Sequence, residues 1–104
     1  MDAYGNKHLK VIETVAETVA YGLGLKKDTF TKLLKNGPHI LAPTGIDLKK
    51  CNKAGTILEG FHYDTSFLTI HCRPRYLGLY IWLRNGQRLP LRVPFGCLII
   101  QVGK

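Results

Sequence analysis

An α+β fold, with helices first and antiparallel strands after them, is predicted by three observations on this chain of 104 residues. Apolar residues recur at helical spacing between Lys7 and Leu23. Segments rich in β-branched and aromatic residues follow one another after Gly55. An Asn85-Gly86 pair, a strong short hairpin signal, lies between two of those segments.

The first helix is expected from Lys7 to Leu23. Leu9, Ile12, Val15, Ala16, Val19, Ala20 and Leu23 form an i, i+3, i+4, i+7 stripe, with Lys10, Glu13, Glu17 and Thr18 off it. Gly22 and Gly24 mark its end, because glycine accepts the left-handed conformation that stops a helix. Asp28 is placed to N-cap a short second helix, Thr29 to Lys35, which Asn36-Gly37-Pro38 closes. Pro43 to Gly55, mixing Pro, Gly, Asp, Asn and Lys, is expected as an exposed connection.

Strands are expected at Thr56 to Tyr63, Phe67 to His71, Leu79 to Leu83, Arg88 to Val93 and Cys97 to Val102. The Asn85-Gly86 pair predicts a type I′ turn, since both residues tolerate positive φ. Pro90 belongs at an edge or a bulge, because it has no N–H to give to a ladder. The sequence ends at Gly103-Lys104, directly after a hydrophobic strand. That ending reads as an unfinished sheet with open edges, through which the chain is expected to self-associate.

Composition narrows the function classes. Hydrophobic content of 45% is ordinary for a folded domain, and the length suits one domain rather than two. The net charge of +8 and a pI near 9.6 raise the question of a polyanionic partner. Lysines crowd the first half and arginines the last third, while Ala54 to Cys72 holds neither. No nucleic-acid fold signature accompanies the charge, so a basic binding module ranks as the alternative and nucleic acid is not the expected partner. Cys51, Cys72 and Cys97 are odd in number and lack CxxC spacing, which argues against a disulfide framework and a structural zinc site. No apolar run approaches the ~20 residues that span a bilayer, and no signal-peptide core follows Met1. A cytoplasmic protein with no membrane partner is expected.

The chemistry-bearing motif is Gly60-Phe61-His62-Tyr63-Asp64. On a strand, residues two apart share a face, so His62 and Asp64 would aim at one point. One imidazole and one carboxylate are two of the three groups of the two-His-one-carboxylate triad that holds non-haem Fe(II). Taken alone, such a pair reads as a hydrogen-bonded polar pair on a strand. A cation-free stretch around it suits a divalent ion. His71 lies at an odd offset from both, which sends it to the opposite strand face, and His8 and His39 have no ligand spacing. Arg73-Pro74-Arg75-Tyr76 carries forks suited to phosphate or carboxylate but is expected as a solvated loop. Tyr80, Trp82 and Phe67 are expected in the core. Cys72 and Cys97 have no identifiable base beside them, so a nucleophilic role is not assigned.

The ordered block Leu41-Ala42-Pro43-Thr44-Gly45, Gly60-Phe61-His62-Tyr63-Asp64, Phe67-Leu68-Thr69-Ile70, Gly78-Leu79, Val93-Pro94-Phe95-Gly96-Cys97-Leu98 and Gln101-Val102-Gly103 resembles the isopenicillin N synthase-like Fe(II)/2-oxoglutarate dioxygenases. The resemblance runs from about Thr29 to the end of the sequence. It implies a double-stranded β-helix, or jelly-roll, of which this chain holds an incomplete part. Residues 1–38 would be a helical scaffold segment and 39–104 the partial jelly-roll, together one truncated domain. It further implies His62 and Asp64 as metal ligands, Fe(II) as the metal, 2-oxoglutarate as cosubstrate and a small organic molecule as substrate. The family's second ligand histidine and its Arg-x-Ser have no counterpart here, and its tyrosine-bearing block is replaced by His39-Ile40-Leu41-Ala42-Pro43. The expectation is therefore an oxygenase domain fragment that is inactive alone, or a non-enzymatic remnant of one.

Overall fold

The computed structural model describes residues 2–104. The order of elements is α1 (Asp2–Gly22), α2 (Thr31–Lys35), β1 (Leu68–His71), β2 (Tyr80–Trp82), β3 (Arg88–Pro90) and β4 (Ile99–Val102). The α+β class holds. The chain divides into two compact units, Met1–Tyr63 and Asp64–Lys104.

In the first unit, α1 runs for 21 residues and begins before the expected Lys7. Asp2 in its first turn complements the positive end of the helix dipole. One turn on, the His8 ring lies 4.1 Å from that of Tyr4, and its Nδ1 is 3.0 Å from the Tyr4 carbonyl. The helix ends as its glycines foretold. Gly24 takes φ 70°, the Leu25 N–H donates to Ala20 O at 2.9 Å and the Gly24 N–H to Tyr21 O at 3.0 Å. These are the paired bonds of a Schellman motif.

Of the apolar stripe, only Ala16 and Ala20 are fully buried, whereas Leu23 is 65% exposed. The helix that touches α1 is too short to cover more, since α2 has only 5 residues. Its expected N-cap is not formed. Asp28 sends its carboxylate to Lys32 Nζ at 2.6 Å, and α2 starts at Thr31 with no side-chain cap. The i, i+4 cation outcompetes the backbone N–H for the carboxylate. Pro43 to Gly55 is exposed throughout, as expected, with Asp47 Oδ1 accepting from the Lys49 N–H at 2.9 Å.

The strand expected at Thr56 to Tyr63 does not form; the segment is irregular and exposed. Its apolar residues, Ile57, Leu58, Phe61 and Tyr63, do not alternate, and Gly55 turns the chain with φ 83°. β-propensity without a partner strand gives no ladder.

The second unit holds two antiparallel pairs. β1 pairs with β4 in the register Leu68↔Val102, Thr69↔Gln101, Ile70↔Ile100 and His71↔Ile99. Between them in sequence, β2 and β3 form a hairpin with Tyr80↔Pro90, Ile81↔Leu89 and Trp82↔Arg88. The turn differs from the type I′ expectation. Only Gly86 has positive φ, 82°, while the Gly86 N–H donates to Leu83 O and the Leu83 N–H to Gln87 O, both at 2.9 Å. This is the three-residue loop, a tight turn closed by a glycine bulge. Asn85 serves it through its side chain, since Oδ1 accepts from the Gln87 N–H at 3.0 Å. Tyr80 and Trp82 are exposed, not core, with the Arg88 guanidinium 4.4 Å from the Tyr80 ring centre and 5.9 Å from that of Trp82. Phe67 is exposed as well.

Candidate functional site

The His-x-Asp motif lies where one unit ends and the other begins, with His62 in the first and Asp64 opening the second. Both stand on irregular backbone, so the shared strand face expected for them is not formed.

His62 is oriented locally. Its Nδ1 lies 2.9 Å from the Gly60 carbonyl, two residues back. A carbonyl only accepts, so Nδ1 carries the hydrogen in this contact. In neutral imidazole that leaves the lone pair on Nε2. This is the arrangement of metal-ligating histidines, whose second nitrogen donates to a carbonyl or carboxylate and thereby fixes the tautomer. Glu59, three residues back, places Oε1 3.8 Å from Nε2. Sequence reading passed over Glu59, although its i, i+3 offset from His62 was visible. The Phe61 and Tyr63 rings meet edge to face at 5.3 Å on either side of the histidine in sequence.

Asp64 is held through its backbone. Its carbonyl accepts the Lys104 N–H at 2.8 Å, while Phe67 O accepts the Gly103 N–H at 3.3 Å. These bonds prolong the β1–β4 pairing and fix the start of the second unit to its end. Asp64 itself is half-buried, and its Oδ2 is shielded from solvent.

Among the described residues, no group of three His, Cys, Asp or Glu side chains is arranged to hold a metal ion. His71 stands on β1 opposite Ile99, His8 makes the same kind of Nδ1-to-carbonyl contact with Tyr4 on α1, and His39 is exposed in a loop. An Fe(II) triad thus does not fit the described residues. His62 and Asp64 bring one imidazole and one carboxylate, and a third group is not among the described residues. Two ligands hold a metal weakly and leave it free to exchange. Cys51, Cys72 and Cys97 are exposed, and none is in a disulfide.

A different set of side chains does converge. Arg73, Arg75 and Arg92 line one cavity of about 280 Å³ in the second unit, together with Tyr76 and Val93. The Arg73 Nε–H donates to Val93 O at 3.1 Å, bridging 20 residues of sequence. The segment is a largely exposed, irregular loop, as expected, and it lines one side of this cavity. Arg92 was the missed member, because nothing local in sequence ties it to Arg73.

No helix is long and apolar enough to cross a membrane among the described residues. No protein-family model, curated protein or solved structure matches the chain.

Proposed function

We propose that this chain is part of an Fe(II)/2-oxoglutarate-dependent oxygenase acting on a small organic substrate, with His62 and Asp64 as two of the metal ligands. The observation that carries the reading is the hydrogen bond between His62 Nδ1 and Gly60 O, within a His-x-Asp motif, which in neutral imidazole leaves the Nε2 lone pair to a ligand. Two further features support it. No Lys or Arg occurs between Ala54 and Cys72, so no fixed cation on that stretch competes with a metal. In the second unit, β4 returns to pair with β1 around the inner β2–β3 hairpin, a nesting of antiparallel pairs consistent with part of a jelly-roll.

The chemistry that bound iron would supply is activation of O₂ in the presence of a 2-oxoacid, with His62 and Asp64 as two of the residues that would hold it. Its third protein ligand and the group that grips 2-oxoglutarate are not found among the described residues, so no reaction step is assigned to this chain. The role proposed for its own residues is binding. His62 presents nitrogen, Asp64 presents oxygen, and the Lys104–Asp64 bond fixes the backbone that carries the carboxylate.

Calorimetric titration with Mn(II), as a redox-stable stand-in, tests this. The expected result is weak binding that disappears in both His62→Ala and Asp64→Ala and persists in His71→Ala. Unchanged affinity in the first two variants would remove the ligand assignment.

A further inference from the structure

The arginine-lined cavity is independent of the metal reading, and its chemistry points elsewhere. The unit Asp64–Lys104 contains Arg73, Arg75, Arg84, Arg88, Arg92 and Lys104 against a single carboxylate, Asp64. Among the described residues, the ion pairs engage Lys27, Lys32 and His62, so none of these arginines is neutralised by a carboxylate. Three like charges around one cavity repel each other unless an anion joins them.

Arg73 is also pre-positioned. Its Nε–H is held by the Val93 carbonyl at 3.1 Å and its guanidinium lies 6.0 Å from the Phe95 ring centre. The terminal nitrogens of such an anchored fork match the paired oxygens of a phosphate.

Size and surroundings select the ligand. At about 280 Å³ the cavity falls just short of the roughly 300–1,000 Å³ of sites that enclose a whole small molecule. It suits one anionic group of a larger ligand. Tyr76 lines the same cavity and is 81% exposed, and Phe95, beneath Arg73, is 92% exposed. Leu91, Arg92 and Val93 continue directly from β3, whose partner β2 presents Tyr80 and Trp82 beside Arg88. Cationic forks interleaved with solvent-facing rings are what single-stranded nucleic acid needs. Phosphates take the charges, and unpaired bases stack on the rings.

We propose that the second unit binds single-stranded nucleic acid, with a backbone phosphate held among Arg73, Arg75 and Arg92 and adjacent bases stacked on Tyr76 and Phe95. The sequence alone ranked nucleic acid below other partners because no fold signature was present. Arg92 joining Arg73 and Arg75 at one cavity is an observation that the sequence pattern did not provide.

Fluorescence anisotropy of a labelled oligothymidylate, titrated with the full chain at several salt concentrations, provides the test. One phosphate neutralised in the cavity predicts a log–log salt slope of about −0.7 on a single strand. Arg75→Gln and Arg92→Gln, which remove no intramolecular hydrogen bond described above, should each weaken binding about tenfold at low salt. Tyr76→Ala should weaken binding about fivefold or more. Lys49→Gln and Lys50→Gln, in the first unit, should change neither slope nor affinity, and circular dichroism of every variant should match the parent. The proposal is overturned by no binding at low salt, by affinity unchanged in both arginine variants, or by equal affinity for a duplex of the same length. Binding to anionic phospholipid vesicles without binding to the oligonucleotide would also overturn it.

Discussion

The backbone carbonyl of Asp64 accepts the N–H of Lys104 at 2.8 Å, so the second unit begins and ends on one hydrogen bond. Gly103, next to Lys104, makes that approach possible. A Cβ at position 103 would collide with the Ser66 carbonyl oxygen and stand 3.0 Å from the Asp64 carbonyl oxygen. Both obstacles are backbone, which cannot swing aside as a side-chain tip does.

Gly103→Ala should therefore part the ends of the β1–β4 pair at a cost of about 1–3 kcal/mol, the range for overpacking a close contact. Amide exchange measured by NMR should show Lys104 and Gly103 losing protection while the β2–β3 hairpin keeps its own. Retained protection at Lys104 would show that the chain accommodates the methyl group.

At the hairpin, Gly86→Ala should destabilise by about 1 kcal/mol or more, because an L side chain is strained at φ 82°. Asn85→Gly should be milder, since it removes only the Oδ1 acceptor of the Gln87 N–H. Cross-strand contacts between Tyr80 and Pro90, followed by NMR, report both effects.

The Asp28–Lys32 pair gives α2 a pH dependence. The hydrogen bond from Lys32 holds the Asp28 carboxyl below its ordinary value of 3.8. A depressed carboxyl contributes stability that is complete above the unfolded pKa and disappears as pH falls through the lowered folded value. Titration from pH 6 downward should thus show the Asp28 carboxyl protonating below its ordinary value, with α2 loosening only at the acid end. Asp28→Asn should abolish that acid transition, and salt should weaken it because the pair is exposed.

Exposed apolar side chains predict association. Among the described residues no large side chain is fully buried, and Ile40, Ile57 and Phe95 are each at least 80% exposed. Burying one such side chain contributes about 1.5–3 kcal/mol, a large fraction of a small domain's net stability. Sedimentation velocity should show concentration-dependent association, and thermal unfolding of the dilute chain should be broad. A sharp, cooperative melt from a monomer would contradict this.

Local signals in the sequence carried most of what is regular in the fold. The apolar stripe located α1, and Gly24 located its end, because helix spacing and glycine's left-handed conformation act within a few residues. Asn85-Gly86 located the hairpin, although not the turn type, since a two-residue and a three-residue loop share that dipeptide. Asp28 was misread because its two partners, a backbone N–H and the Lys32 ammonium, compete at similar sequence distance. Thr56 to Tyr63 was misread because strand propensity says nothing about whether a partner strand is present. The candidate sites divide in the same way. His62 stood out in the sequence through its His-x-Asp spacing, whereas its contact with the Gly60 carbonyl depends on the local backbone, which the motif does not record. Arg92 joins Arg73 through a pairing 20 residues apart that no local pattern records.

The central claim is that His62 and Asp64 are metal ligands, and paramagnetic NMR tests it most directly. Substoichiometric Mn(II) added to the isotopically labelled full chain should broaden first the resonances of residues 60–66, His62 and Asp64 foremost. His8, His39 and His71 should stay sharp. Asp64→Ala should restore the His62 signals at the same metal concentration. Broadening centred on another histidine, or unchanged broadening at His62 in Asp64→Ala, would contradict the account.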